Sequence, residues 1–282
     1  MKPLLGFFLA VLFAGCTSSG QRHVNPALAL SVTHESKAPR NSIPVIHVFV
    51  ALCDNVNQGI VPVPASLGNG EDAASNLYWG AGFGVKTFFL KSKAWQLVHA
   101  DAPSGKSPSV VLDRVIFQHR DSGAFLVAEA YRGDHIRQAT EDFLAAAAGT
   151  PGETVKINTG GKSVILNVGG SAALIAYVGH DGLMDFQLNA VPKQRDSELR
   201  EAIILACASK SYFAAPLKTT GVKPLLWTTN LMAPEAYVLS AAIDGWLRRE
   251  TDEQIRLRAA TAYHQYQKCG LEGAKRLFAT GW

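Results

Sequence analysis

Apolar runs alternate with helix-like segments from residue 43 onward, and this alternation determines the predicted fold. The first run, residues 45–52, is apolar almost throughout, and similar runs follow at residues 172–178, 202–206 and 224–229. Short continuous apolar runs bounded by turn residues are typical of strands buried on both faces of a parallel sheet. The sequence therefore predicts an α/β fold, with a mostly parallel sheet and helices on both faces.

The segments between these runs predict hairpins and helices. Two strands, at residues 110–118 and 124–131, flank a turn at residues 121–123, and a polar hairpin is expected at 154–168. Helices are predicted at residues 73–89, 134–148 and 234–249, and a last helix is predicted to end at residue 267. Asp134 is the predicted N-cap of the second helix, and Thr251 or Asp252 is that of the last.

Residues 76–84 combine aromatic side chains with three glycines, which lie inside the first of these predicted helices. Glycine lowers helix propensity, so its repeated use here indicates close backbone packing. Core packing of this segment on the sheet is the favoured interpretation, and the wall of a pocket is the alternative.

The N-terminus carries a targeting pattern that is separate from the fold. Lys2 precedes an apolar run at residues 4–13, which is too short to span a bilayer, and Ala14 and Gly15 then stand directly before Cys16. The segment resembles the bacterial lipoprotein signal, in which a Leu-Ala-Gly-Cys type of box is lipidated on its cysteine. That resemblance implies a signal peptide at residues 1–15 and a mature chain that begins at lipidated Cys16. An ordinary secretory signal with an incidental cysteine is the alternative.

Residues 16–42 are polar and lack apolar periodicity, which is typical of a flexible tether. Ser18 stands where, in the lipoproteins that the signal resembles, an aspartate retains the protein at the inner membrane. We therefore expect the chain in the bacterial cell envelope, held by its lipid at the periplasmic face of the outer membrane. Residues 43–282 are expected to form one α/β domain.

Charge and cysteine content narrow the possible partners. The net charge is only +4 and no block of like charges occurs, so nothing indicates a nucleic-acid partner. Of the four cysteines, lipidation of Cys16 leaves Cys53, Cys207 and Cys269. An odd number in an oxidising compartment leaves at least one thiol unpaired, or paired with another molecule.

A histidine and a cysteine follow two of the buried runs. His180 comes directly after residues 172–179, and Cys207 follows residues 202–206. Because ligands bind beyond the carboxyl ends of parallel strands, both residues are expected to face one crevice. An imidazole within hydrogen-bond reach activates a thiol as a nucleophile, and Asp181 or Asp185 is placed to orient the ring.

These residues also have structural interpretations. Cys207 could be a small core side chain, and a histidine at a strand end could cap a loop. Cys53 is expected to be structural, but a disulfide from Cys53 or Cys269 to Cys207 would remove the nucleophile. No further ligands cluster around His180 and Cys207, so neither a metal nor another cofactor is expected.

The strand ends resemble those of the caspase, gingipain and legumain type of cysteine peptidase. The matching segments are residues 177–180 with Gly182, and residues 203–209 with Cys207. The resemblance implies a caspase-like three-layer sandwich, with Cys207 as nucleophile and His180 as general base or ion-pair partner. It also implies an oxyanion donor at the glycine after the histidine, which here is Gly182 because Asp181 intervenes.

The expected function is that of a membrane-anchored cysteine peptidase. Its substrate would be a protein or peptide of the cell envelope, cleaved at a peptide or other acyl bond. A non-catalytic lipoprotein that uses the same fold for binding or scaffolding is the alternative. The sequence leaves the oligomeric state open.

Overall fold

Residues 43–102 and 109–282 are described by the structure, which is a computed structural model. The predicted signal peptide, Cys16 and the tether at residues 16–42 lie outside the described residues. Within the described ranges, no helix is both long enough and apolar enough to cross a bilayer.

The strands of the described chain form one large sheet and one separate hairpin. The large sheet contains β1 (Val45–Ala51), β2 (Trp95–Asp101), β3 (Val111–His119), β4 (Phe125–Tyr131), β7 (Leu174–Val178), β8 (Glu201–Leu205), β9 (Lys223–Thr228) and β10 (Phe278–Ala279). The hairpin pairs β5 (Pro151–Thr159) with β6 (Lys162–Gly169). The predicted hairpins at 110–131 and 154–168 are thereby confirmed.

The large sheet has the order β10-β9-β8-β7-β1-β4-β3-β2. Its central strand β1 is parallel to β4 on one side and to β7 on the other, with Val45 opposite Phe125 and Ile46 opposite Leu174. The parallel pairing continues through β8 to β9, while β10, β3 and β2 are antiparallel to their inner neighbours. The sheet is therefore mostly parallel, as the sequence predicts.

Helices cover both faces of this sheet. They are α1 (Val85–Lys91), α2 (Ile136–Ala147), α3 (Ser209–Thr220), α4 (Ala236–Leu247), α5 (Asp252–Gln267) and α6 (Leu271–Leu277). One apolar cluster joins α2 and α3 to Phe49 and Tyr177, and another joins α1, α4, α5 and α6 to Val48 and Val50. Successive side chains of a strand point to opposite faces, so the chain folds as a three-layer α/β sandwich.

The predicted helix at residues 73–89 is wrong over most of its length. Only Val85–Lys91 is helical, and residues 73–84 form consecutive turns. A side chain at Gly80 would overlap the Ala74 backbone, and one at Gly84 would overlap the Trp79 backbone. The glycines therefore allow the close backbone packing that the sequence indicates, but in turns and not in a helix.

The two helix caps predicted from sequence have different outcomes. Thr251 caps α5, because its hydroxyl accepts from the Gln254 N–H while the Gln254 side chain accepts from the Thr251 N–H. Asp134 does not cap α2. It lies in a 3-10 turn, Gly133–His135, and pairs instead with Arg132 at 3.1 Å.

Candidate functional site

The ends of β7 and β8 place His180 beside Cys207. Val178 is opposite Leu205 in the parallel ladder, and the Gly179 N–H extends it by donating to the Leu205 carbonyl at 3.2 Å. His180 and Cys207 are each two residues beyond that pair, so they leave two adjacent strands, which are about 4.8 Å apart, at the same edge of the sheet. Both residues therefore lie at the carboxyl edge of the sheet, where parallel sheets bind ligands.

The Cys207 thiol is half-buried and contacts the loop that follows β9. Its Sγ accepts from the Met232 N–H at 3.4 Å and lies 3.5 Å from the Met232 carbonyl oxygen. Burial raises the pKa of Cys207, the Met232 hydrogen bond opposes that rise, and the charge of Asp181 adds to it. In this arrangement the thiol is protonated at neutral pH.

The turn after Cys207 is held in an unusual conformation. Ala208 has φ of 47°, in the left-handed region that non-glycine residues seldom occupy, and its N–H donates to the Asn230 carbonyl at 2.9 Å. The Ser209 hydroxyl donates to the Ile204 carbonyl at 3.0 Å and the Thr228 N–H donates to the same hydroxyl, also at 3.0 Å. Residues in such backbone regions occur preferentially at functional sites, and this one presents Cys207 just before the first turn of α3.

His180 is buried, and one ring nitrogen is held by a carboxylate. Its Nε2 lies 2.7 Å from Asp185 Oδ2, which also accepts from the Gly59 N–H at 3.0 Å. Because Asp185 is the acceptor, the neutral ring carries its proton on Nε2 and keeps a lone pair on Nδ1. In the described part of the chain, no hydrogen bond joins His180 to Cys207.

The two carboxylates proposed to orient His180 are in different environments. Asp185 contacts the ring, whereas Asp181 is fully buried and accepts only the Leu183 N–H, at 3.0 Å, on Oδ1. Asp181 Oδ2 has no hydrogen-bond partner among the described residues. Burial, and to a lesser extent the charge of Asp185, raise the pKa of Asp181 to about 7, although the Leu183 hydrogen bond opposes this rise.

Gly182, the predicted oxyanion donor, opens the 3-10 turn Gly182–Met184 at the end of β7. A side chain at this position would collide with the ring of Phe186, so the backbone passes close beneath that ring. As the first residue of the turn, its N–H has no acceptor within the turn.

Cys53, at the end of β1, is fully buried in the core. Burial raises the pKa of its thiol to about 11 despite a hydrogen bond from the Tyr78 hydroxyl. The Asn76 side chain pairs with both the N–H and the carbonyl of Cys53, at 3.0 and 2.8 Å. These contacts agree with the structural interpretation of Cys53. Cys53, Cys207 and the exposed Cys269 are all free thiols, so no disulfide among them blocks Cys207.

The sequence reasoning missed two residues that contact the site through their backbone. Gly59 donates its N–H to Asp185, and Met232 donates its N–H to Cys207. Backbone donors carry no signature in residue type. For the first of these loops, the only signal in the sequence is the high glycine and proline content of residues 55–70, which is typical of turns.

Comparisons with protein-family models, with curated proteins and with solved structures gave no match. Within residues 43–102 and 109–282, no three histidine, cysteine or acidic side chains come together in a way that could hold a metal ion. The function of the site is therefore inferred from its own geometry.

Proposed function

We propose that this chain is a membrane-anchored hydrolase of peptide or other acyl bonds, with Cys207 as nucleophile and His180 as general base. The observation that carries the proposal is the 2.7 Å contact between His180 Nε2 and Asp185, on the strand end next to the one that bears Cys207. A base oriented by a third group and placed beside a thiol is the arrangement on which nucleophilic catalysis depends.

In the proposed reaction, His180 Nδ1 takes the proton from Cys207 as the thiolate attacks the carbonyl carbon of the substrate. The tetrahedral intermediate then collapses, the amine leaves with the proton from His180, and an acyl-enzyme forms on Cys207. Water, deprotonated by His180, releases the acyl group as a carboxylic acid and restores the thiol. Asp185 stabilises the imidazolium that forms in each step.

Two further features support a caspase-like peptidase as the class. The sheet order places a His-bearing strand end and a Cys-bearing strand end side by side, in the chain order of that superfamily. Position 182 supplies the glycine whose N–H is the proposed donor to the oxyanion. One such donor is typically worth about 10²–10³ in rate.

The anchor is part of the same proposal. Cys16 follows a signal-like segment and bears the proposed lipid, and residues 16–42 are the proposed tether to the periplasmic face of the outer membrane. Labelled palmitate should be incorporated into the wild-type chain but not into the Cys16→Ser variant. Equal labelling of the two proteins would refute the anchor.

A non-catalytic binding module is the second candidate, and one observation favours it. The Cys207 thiol bonds to the Met232 backbone instead of His180, and burial raises its pKa, so the free protein holds no thiolate–imidazolium pair. Catalysis therefore requires that substrate binding bring the thiol and the ring together. A binding module would not need that step.

Hydrolysis of a labelled casein by the full chain separates the two candidates. Cys207→Ala should reduce the rate at least about 10³-fold, because the reaction loses its nucleophile. Cys269→Ala, which removes the exposed thiol and leaves Cys207 in place, is the matched control and should leave the rate unchanged. A rate that is the same in wild type and Cys207→Ala would exclude the peptidase and leave the binding module.

A further inference from the structure

Five large apolar side chains are more than 60% exposed in the described part of the chain. They are Val56 (87%), Val61 (86%), Leu199 (86%), Leu231 (67%) and Ile165 (63%). Single exposed apolar residues are normal on protein surfaces. Three of these five, however, lie in loops at the carboxyl edge of the sheet, the edge that bears Cys207 and His180.

Leu231 is held directly beside the thiol. The residue before it, Asn230, accepts the Ala208 N–H at 2.9 Å, and the residue after it, Met232, donates to Cys207 Sγ at 3.4 Å. Both neighbours of Leu231 are thus bonded to the Cys207 turn. Its side chain nevertheless remains 67% exposed.

Val56 and Val61 are held beside the imidazole in a comparable way. Their loop is closed at its base because Asn55 and Val63 exchange two hydrogen bonds, at 2.8 and 3.0 Å. Between the two valines, the Gly59 N–H donates to Asp185, the residue that holds His180. Met184, which is 40% exposed and adjacent to Asp185, extends this surface.

The sheet order sets the distance between the strand ends from which these loops leave. Leu231 follows β9, Cys207 follows β8, His180 and Met184 follow β7, and the valines follow β1. These four adjacent strands span three spacings, or about 14 Å, which is the length of about four residues of extended peptide. The loops that carry these apolar side chains therefore leave strand ends on both sides of the Cys207 and His180 strand ends, and the spacing of those ends suits a short peptide segment.

We infer that Leu231, Met184, Val56 and Val61, here called the apolar rim, bind an extended peptide with apolar side chains on both sides of the bond presented to Cys207. The inference rests on the proposed function for the position of that bond. A peptide fits better than a single lipid chain, because the rim side chains are separate and exposed and do not enclose a tunnel. Small-molecule and lipid sites instead bury most of the ligand surface.

Binding to the full-length Cys207→Ala protein tests the inference without consuming the peptide. The probes are fluorescein-labelled peptides of about eight residues, with Leu, Val and Phe at the central positions or with Ser, Asn and Gln there, and the readout is fluorescence anisotropy. We expect the apolar peptide to bind at least about tenfold more tightly. Leu231→Asp, Leu231→Ser and Val56→Asp, each made in this background, should weaken its binding at least about fivefold.

Leu199→Asp and Ile165→Asp are the matched controls. Leu199 is as exposed as Val56 but precedes β8, at the opposite edge of the sheet, and Ile165 lies in the separate hairpin. Exposed substitutions change stability little, so both controls should bind the apolar peptide within about twofold of the parent. An equal loss in rim and control variants, no preference for the apolar peptide, or no binding would each overturn the inference.

Two further outcomes separate this inference from the proposed function. Leu231-dependent binding of a fluorescent fatty acid, without peptide binding, would identify a lipid chain as the occupant and overturn the peptide inference. Peptide binding that depends on the apolar rim, together with casein hydrolysis that does not depend on Cys207, would refute the proposed peptidase function and support peptide binding by the rim.

Discussion

Two buried histidines of the described residues pair with carboxylates, but they differ in how many of their ring nitrogens are used. His47, within β1, accepts the Gly169 N–H on Nδ1 at 3.0 Å and contacts Glu129 through Nε2 at 3.1 Å. Glu129 in turn binds Arg114 at 3.0 Å. His180 uses only Nε2, toward Asp185. Among the described residues, the two contacts of His47 connect β1 to β4 and to the end of β6, whereas Nδ1 of His180 has no hydrogen-bond partner and is available to accept a proton.

The difference is informative because a cavity of about 500 Å³ lies next to His47, not next to Cys207. A cavity of this volume is within the range of small-molecule sites. Its buried polar side chains, however, are bonded to one another: His47 and Arg114 to Glu129, and Tyr131 to Asp142 at 3.0 Å. In the described part of the chain, the edge site holds the Cys207 thiol together with His180 Nδ1 and Asp181 Oδ2, neither of which has a hydrogen-bond partner, and such groups can donate or accept protons.

The largest expected effect distinguishes the two clusters by stability. Glu129→Ala leaves His47 and Arg114 buried without their common acceptor, and should lower the free energy of unfolding in urea by about 3–5 kcal/mol. Asp185→Ala is the control and should cost only about 1–2 kcal/mol, because it leaves one buried ring N–H of His180 without an acceptor and removes a side chain that is 33% exposed. Similar losses in both variants would contradict the distinction between a structural and a functional cluster.

The Glu129 cluster also predicts that the free energy of unfolding decreases at acid pH. Burial acts to raise the pKa of Glu129, but His47 and Arg114 outweigh it and hold that pKa below its ordinary value of 4.5. A carboxyl with a lowered folded-state pKa contributes stability above the unfolded-state value and loses it as the pH falls through the folded-state value. The decrease in unfolding free energy at acid pH should therefore be smaller in Glu129→Gln than in the wild type.

The second effect comes from Asp181, and here stability is lost as the pH rises and not as it falls. Its pKa of about 7 in the folded state exceeds the ordinary value of 3.8, so its stabilising contribution is complete below pH 3.8 and is lost as the pH rises through 7. A shift of this size corresponds to about 4 kcal/mol. Asp181→Asn should flatten the urea stability profile across that interval, and an unchanged slope would show that Asp181 ionises freely.

The third effect concerns rate and not stability. Asp185→Asn keeps the shape of the side chain but presents an amide to His180, so the favoured tautomer and the stabilised imidazolium are lost. Casein hydrolysis should fall about 10²-fold, with the unfolding midpoint nearly unchanged. Equal rates in wild type and Asp185→Asn would show that Asp185 does not orient the base.

The smallest effect is on alkylation of the free protein. Because Cys207 is half-buried with a raised pKa, iodoacetamide at neutral pH should modify it about fivefold more slowly than the exposed Cys269. Buried Cys53 should react more slowly still. Faster modification of Cys207 than of Cys269, measured by peptide mass spectrometry, would show that the thiol and His180 already form an ion pair without substrate.

Much of the fold can be predicted from sequence because continuous apolar runs encode buried parallel strands. The runs at 45–52, 172–178 and 202–206 all lie in the sheet, and they bring His180 and Cys207 to one edge. Residues 73–84 were predicted wrongly as helix, because backbone packing around Gly80 and Gly84 determines their turns. Packing of this kind leaves no periodic pattern.

The details of the site depend on contacts that residue types do not encode. Two aspartates follow His180 within five residues, and sequence alone cannot choose between them. The 3-10 turn at Gly182–Met184 directs Asp185 toward the ring, while Asp181 is buried. The Met232 N–H on Cys207 comes from a loop 25 residues later. Such long-range backbone contacts follow from the fold and from no motif.

The central position of β1 has a consequence for how the chain folds. Val45 must find Phe125 and Ile46 must find Leu174 before this first strand has both of its neighbours. Closing such long loops is entropically unfavourable, and proteins dominated by distant pairings fold slowly. During synthesis, the apolar first strand therefore lacks its β7 neighbour until residue 174 has been made, and an unpaired apolar strand is prone to aggregation during that time.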